Sequence, residues 1–164
     1  MKLTRPAALL LALALALAAC APAPQPLPQR SLPPKGTPLR LAVATDLHFI
    51  SPSLVREGEA FTAAYAYGDG KQINYIPELL EVLVQELLED PPDALLLTGD
   101  LTLNGERESH LELAQRLLPL RQAGIPVLVI PGNHDISNAF SSGYNWDKLY
   151  DVRSVTWQEF GEIY

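Results

Sequence analysis

The sequence has little cysteine, methionine or histidine: one, one and three residues respectively in 164. A single cysteine excludes an internal disulfide framework. Basic residues are also scarce, with 12 Lys and Arg against 19 Asp and Glu and a net charge of −7. That balance argues against binding a nucleic-acid duplex, whose phosphate backbone calls for a basic patch. No apolar run reaches the roughly 20 residues that a membrane-spanning helix needs; the unbroken Ala/Leu run at 7–19 has 13. There is no internal repeat and no signal of oligomeric state. What the sequence does have is an apolar fraction of 48%, too high for a disordered chain and enough, at this length, for one domain.

The first 38 residues read as an address and a tether. Lys2 and Arg5 form a positive start, Ala7 to Ala19 an unbroken Ala/Leu run, and Leu17-Ala18-Ala19-Cys20 a small-residue cleavage site. A run of 7–15 apolar residues suits a signal peptide. A cysteine at the cut resembles the lipobox of bacterial lipoproteins. The resemblance implies that residues 1–19 are removed, that Cys20 is lipidated, and that the protein is exported and held on the membrane of the cell envelope by its lipid anchor. Substituting Cys20 with Ser is then expected to move the protein from the membrane pellet to the soluble fraction; retention in the pellet would refute the anchor. Seven prolines in the 18 positions 21–38 make 20–38 an extended, semi-rigid tether.

The globular part begins at residue 39. Three short apolar runs, 39–45, 93–98 and 125–130, each break into a polar cluster: Asp46-Leu47-His48, Gly99-Asp100 and Pro131-Gly132-Asn133-His134-Asp135. Runs of this kind suit strands buried on both faces between helical layers. Helical patterns separate them. Ile76, Leu79, Leu80, Leu83 and Leu87 repeat at helical spacing, with Asn74 as cap, Pro77 in the first turn and Pro91-Pro92 as the stop. A second helix spans about 106–123, with Leu111, Ala114, Leu117 and Leu118 as its buried stripe and Gly124 ending it. The order β-α-β-α-β, with right-handed crossovers, puts all three strand ends on one sheet edge, where open α/β sheets build their sites. Asp46, His48, Asp100, Asn133 and His134 therefore converge.

Oxygen and nitrogen donors without thiolate suit Mn²⁺, Fe, Zn²⁺ or Mg²⁺. Asp46 and His48, two apart on an extended segment, point to one side and can share an ion. Asp100, after the central strand, has two oxygens and can bridge two ions, which at about 3.5–4 Å apart clamp a phosphate.

Asp46-Leu47-His48, Gly99-Asp100-Leu101-Thr102-Leu103-Asn104-Gly105 and Gly132-Asn133-His134-Asp135 resemble, in order, the first three motifs of the calcineurin-like metallophosphoesterases. The resemblance covers roughly residues 40–164. It implies an α/β fold, here part of a four-layer α/β sandwich with a β-α-β-α-β core, in a domain spanning 39–164. It implies hydrolysis of phosphomonoesters or phosphodiesters, small molecules or nucleotides, by a dinuclear centre of two divalent ions and a metal-bound hydroxide. In that pattern Asp46 and His48 hold the first ion, Asp100 bridges, Asn133 holds the second, and His134 meets the phosphate and assists the leaving group. Asp135 is expected to hold the loop behind the ligands.

Further motifs of the family, Gly-His and Gly-His-X-His, supply more ligands and have no counterpart here. By count, the first ion has Asp46, His48 and Asp100, and the second only Asp100 and Asn133. The T-x-x-E pattern Thr156-Trp157-Gln158-Glu159 opens a helix that has run about two turns at residue 164. The expectation is the N-terminal part of a larger enzyme; the alternative is a truncated or degenerate phosphoesterase domain that binds metal or phosphate ligand without turnover. His110 is read as a surface histidine in mid-helix, and Gly68-Asp69-Gly70-Lys71 as a turn. Residues 49–73 and 136–154 are read as long loops whose aromatics either stack on a nucleobase or pack against each other.

Overall fold

The computed structural model describes residues 27–28, 33–67 and 70–164. The expected signal peptide 1–19, Cys20, positions 21–26 and 29–32 of the tether, and Gly68-Asp69 of the expected turn lie outside the described residues. Among the described residues no helix is long and apolar enough to cross a membrane.

Three parallel strands, β1 (Leu41–Ala44), β3 (Ala94–Thr98) and β4 (Val127–Ile130), form a sheet in the order β1-β3-β4. Leu97 pairs with Ala44 on one side and Val129 on the other. The mixed α/β fold is the one the family resemblance implies. Helices α2 (Ile76–Glu89) and α3 (Arg107–Gln122) connect the strands. Both crossovers step in the same direction along the sheet, so right-handedness puts both helices on one face. That face carries the main core: Leu95 and Leu97 pack with Leu80, Val84, Leu113, Leu117 and Leu120.

The expectation of strands buried on both faces is therefore corrected. Leu41, Val43, Leu128 and Ile130, on the opposite face, are 49–63% exposed. Two crossovers in one direction supply one helical layer, and among the described residues nothing covers the other.

The helix boundaries follow their caps more closely than their stripes. At the end of α3, Gly124 takes φ +78°, its N–H meets the Arg121 carbonyl at 3.0 Å, and the Ile125 N–H meets the Leu120 carbonyl at 3.0 Å. Those are the two bonds of a Schellman motif, with Ile125 and Leu120 as its buried apolar pair. Its buried stripe is His110, Leu113, Leu117 and Leu120. Of the expected stripe only Leu117 is fully buried; Leu111 is exposed and Ala114 and Leu118 are partly buried. On α2, Leu80 and Val84 are buried while Leu79 is exposed. Tyr75, not Asn74, occupies the N-cap position. The T-x-x-E signal does form a capping box opening α4 (Trp157–Ile163): the Glu159 N–H reaches Thr156 Oγ1, and the Thr156 N–H reaches Glu159 Oε2 at 3.1 Å.

The two segments read as loops have structure of their own. Residues 49–73 contain a 3₁₀ turn at Pro52–Leu54, β2 (Val55–Arg56) and α1 (Glu59–Ala66). Residues 136–154 contain the hairpin β5 (Ser142–Asn145) and β6 (Lys148–Asp151). β2 joins β5 in parallel, giving a second sheet β2-β5-β6. Phe61 meets Tyr65 and Tyr144 edge-on, at ring-centre distances of 5.6 and 5.2 Å, inside a small second core. These aromatics pack against each other. Strands as short as β2 leave almost no period-2 pattern to read.

Candidate metal centre

Beyond the regular ladder, the segments after β1 and β3 stay paired. The Asp46 N–H donates to the Gly99 carbonyl (3.1 Å), His48 N–H to Asp100 (2.9 Å) and Phe49 N–H to Leu101 (2.9 Å). Within this stretch Asp46, His48 and Asp100 take φ of +54°, +45° and +46°. Left-handed backbone is uncommon outside glycine and costs free energy. The expectation that Asp46 and His48 share a side through extended alternation is corrected here. They converge because the chain kinks at each, not because it stays straight.

His48 Nε2 lies 3.8 Å from Asp46 Oδ1 and 3.9 Å from Asp100 Oδ2. One donor atom from each of the three residues falls within 4.8 Å of the others. An ion with bonds of about 2.1 Å reaches donors up to about 4.2 Å apart, so His48 can share one ion with either carboxylate. Burial, followed by the positive charge of Lys71, pushes the His48 pKa down; the flanking carboxylates only partly oppose this. The neutral imidazole thus favoured is the form that ligates. The Thr45 hydroxyl donates to Asp46 Oδ2 at 2.6 Å, leaving Oδ1 toward His48.

The loop after β4 closes the other side. Asp100 Oδ1 accepts the His134 N–H at 3.2 Å while Oδ2 faces His48. His134 Nδ1 sits 2.7 Å from the Leu103 carbonyl, with Asn104 Oδ1 at 3.2 Å. A carbonyl only accepts, so Nδ1 carries the hydrogen and Nε2 is left over. The rings of His134 and His48 stand edge to face at 5.1 Å. Asn133 is exposed on the same loop. At Gly132 a side chain is excluded: a Cβ would overlap the Asp100 backbone nitrogen and carboxylate.

Asp135 is fully buried. Its Oδ1 accepts from the Thr102 N–H (2.9 Å) and hydroxyl (3.1 Å), and its Oδ2 from the Leu101 N–H (3.1 Å) and Gly132 N–H (2.7 Å). Four donors saturate the carboxylate. The side chain ties the segment carrying Asp100 to the one carrying Asn133 and His134.

Two residues depart from the sequence reading. His110 is not a surface histidine; it is fully buried under the Asp135 loop, with Nε2 2.9 Å from the Asp135 carbonyl. Its place three residues before Leu113 on the buried stripe was the available signal. Glu106, at the start of α3, is also fully buried. Backbone N–H groups of Asn104 and Ser142 and the Ser109 hydroxyl lie near its carboxyl, but none makes a well-formed hydrogen bond to it. Burial raises its pKa from 4.5 to about 7. The folded protein then holds the proton more tightly than the unfolded chain, so this group's contribution to stability is full below pH 4.5 and is lost as pH rises through 7. The full loss is on the order of 3 kcal/mol at 1.36 kcal/mol per pKa unit. Glu106→Gln is expected to flatten that dependence and to stabilise the protein at pH 8, read by denaturant unfolding at pH 5 and pH 8. An unchanged slope would assign the pH dependence to other groups.

Comparison with known proteins agrees with this geometry. The chain is 40% identical over 94 residues to a probable cyclic nucleotide phosphodiesterase of Ruthia magnifica subsp. Calyptogena magnifica, a match covering 57% of this chain and 37% of that protein. It is 36% identical over 94 residues to a protein of the same description from Vesicomyosocius okutanii subsp. Calyptogena okutanii (strain HA), with the same coverage. The match spans little more than a third of the length of each relative. Residues 39–164 match the family model for calcineurin-like phosphoesterases, and the chain belongs to that family.

Proposed function

We propose that the protein, exported and anchored through Cys20 to a membrane of the cell envelope, hydrolyses phosphoester bonds at a dinuclear divalent-metal centre. The convergence of Asp46, His48 and Asp100 on one sheet edge carries this reading. Asp46 and His48 hold the first ion and Asn133 the second. Asp100 would be shared between the two ions, since its two oxygens face opposite loops, one toward His48 and one toward the His134 N–H. When bound, the ions supply Lewis acidity toward phosphate oxygens and an activated water. His134 would assist the leaving group through Nε2 as the doubly protonated imidazolium, since Nδ1 keeps its hydrogen on the Leu103 carbonyl. The relatives' description as probable cyclic nucleotide phosphodiesterases favours a phosphodiester, and a nucleotide, as substrate.

The second reading, a domain that binds metal or phosphate ligand without turnover, is favoured by donor count. The described residues offer the second ion only Asp100 and the exposed Asn133. A chelation experiment separates the two. Protein stripped with EDTA should show no turnover of bis(p-nitrophenyl) phosphate and regain it on adding Mn²⁺. Activity that survives stripping would contradict the metal centre. Mn²⁺ binding with no turnover of either a diester or a monoester would establish the second reading.

A further inference from the structure

We propose that His110 is a positioning residue for the metal centre: from helix α3 it fixes, through Asp135 and Thr102, the two loops that carry Asp100 and Asn133-His134. The inference rests on reading Asp46, His48 and Asp100 as metal ligands.

Each proton of this network has one place. His110 Nε2 lies 2.9 Å from the backbone carbonyl of Asp135 and 3.2 Å from Thr102 Oγ1. The carbonyl can only accept, so Nε2 carries the hydrogen. Burial pushes the His110 pKa down and so favours the neutral ring, which has one N–H. Nδ1 is therefore an acceptor, and the Tyr164 hydroxyl, 3.0 Å away, donates to it. Thr102 Oγ1 donates to Asp135 Oδ1 and accepts the Gly105 N–H at 3.0 Å. Its second lone pair faces the His110 N–H. The Asp135 carboxylate in turn holds the N–H groups of Leu101, Thr102 and Gly132. One imidazole thus touches both arms of the site: Thr102 is two residues from Asp100, and Asp135 follows His134.

The geometry has a direction. The Asp135 carbonyl sets the tautomer of His110, and the Tyr164 hydroxyl, one residue past α4, satisfies the other nitrogen. His110 then aims its single N–H at the Asp135 carbonyl. The rings of Phe160 and Tyr164 pack edge-on against the imidazole at 5.6 and 5.8 Å, leaving it one orientation. A buried imidazole needs both nitrogens satisfied whatever its role. Here both are, and the partners lie on the two loops of the site and at the end of α4. Groups that orient metal ligands without touching the ion are worth about 10–100-fold in metal affinity or activity.

The test compares the full wild-type chain with His110→Leu, His110→Gln and Tyr164→Phe, measuring Mn²⁺ affinity by titration calorimetry with no substrate present. His110→Leu removes the donor and should weaken Mn²⁺ binding by about tenfold or more in protein that still melts cooperatively. His110→Gln carries an amide N–H that can reach the same carbonyl, and should restore affinity to within about threefold. Tyr164→Phe leaves Nδ1 buried without a partner and loosens the ring's seat, and should weaken affinity in the same direction by a smaller factor. The proposal is overturned if the Leu variant binds Mn²⁺ as wild type does, or if Leu and Gln variants lose affinity equally. Should the Leu variant fail to fold, Tyr164→Phe decides, and unchanged affinity there also overturns it. Wild-type protein that takes up no Mn²⁺ would instead refute the metal-centre reading on which the proposal stands.

Discussion

Asp100→Asn is expected to reduce Mn²⁺-dependent phosphodiester turnover by about three orders of magnitude. Stabilisation of transition-state charge by a bound ion contributes several kcal/mol, and each 1.36 kcal/mol is a factor of ten in rate. Asp100 has one oxygen toward His48 and the other on the His134 N–H. An asparagine must turn its NH₂ toward one of these. Facing the ion, it removes a ligand and a charge; facing the His134 N–H, it sets donor against donor. The fold should tolerate the change. Without metal, Asp46 and Asp100 both lie within 4 Å of His48 Nε2, and the two carboxylates repel one another. The stripped variant should therefore melt at the wild-type temperature or slightly above it, as stability and function oppose each other at such sites. Turnover within threefold of wild type at saturating Mn²⁺ would contradict the role assigned to Asp100.

Asp135→Asn should act on the fold instead. The side chain is fully buried and accepts four hydrogen bonds, three from backbone N–H groups. Exchanging either oxygen for NH₂ places a donor against donors and leaves buried N–H groups unpaired. Each such orphan costs about 1–3 kcal/mol, so a loss on the order of 3 kcal/mol or more is expected. At this chain length that is a fall in melting temperature of about 10 °C, read by calorimetry on stripped protein. A variant within about 1 °C of wild type would show that the loops are held by something else.

How much of this was legible in the sequence differs residue by residue. The three strands, the crossovers and the Thr156–Glu159 capping box follow from local patterns, because caps and apolar runs act over a few residues. The convergence of the Asp46, Asp100 and Asn133-His134 segments followed from one topological rule, and Asp46, His48 and Asp100 do meet. What local pattern could not give was backbone hand. Nothing in Asp-Leu-His announces φ above zero at both ends, since the kinks are imposed by pairing with the Gly99–Leu101 segment. Nor did helical spacing choose the right face of α3. Leu111, Ala114 and Leu118 fit a helical repeat as well as Leu113, Leu117 and Leu120 do. The choice is made by where the sheet lies, and it carries His110 and Glu106 inward. Polar residues at the start of a helix look solvated until a second sheet and a loop fold over them.

The hairpin β5-β6 and the short β2 illustrate a further limit. β2 has two residues and draws its stability from Tyr144 and Asn145 across the pairing, far away in the chain. Such an element exists because of its partner, not because of its own sequence.

The most direct measurement is anomalous scattering from crystals grown with Mn²⁺, recorded on both sides of the manganese absorption edge. The account predicts an anomalous peak about 2.1 Å from an oxygen of Asp46, from His48 Nε2 and from an oxygen of Asp100. A second peak about 3.5–4 Å away, beside Asn133 and sharing Asp100, would establish the dinuclear centre. Manganese bound elsewhere, or no peak at these three side chains at millimolar Mn²⁺, would contradict the account at its base.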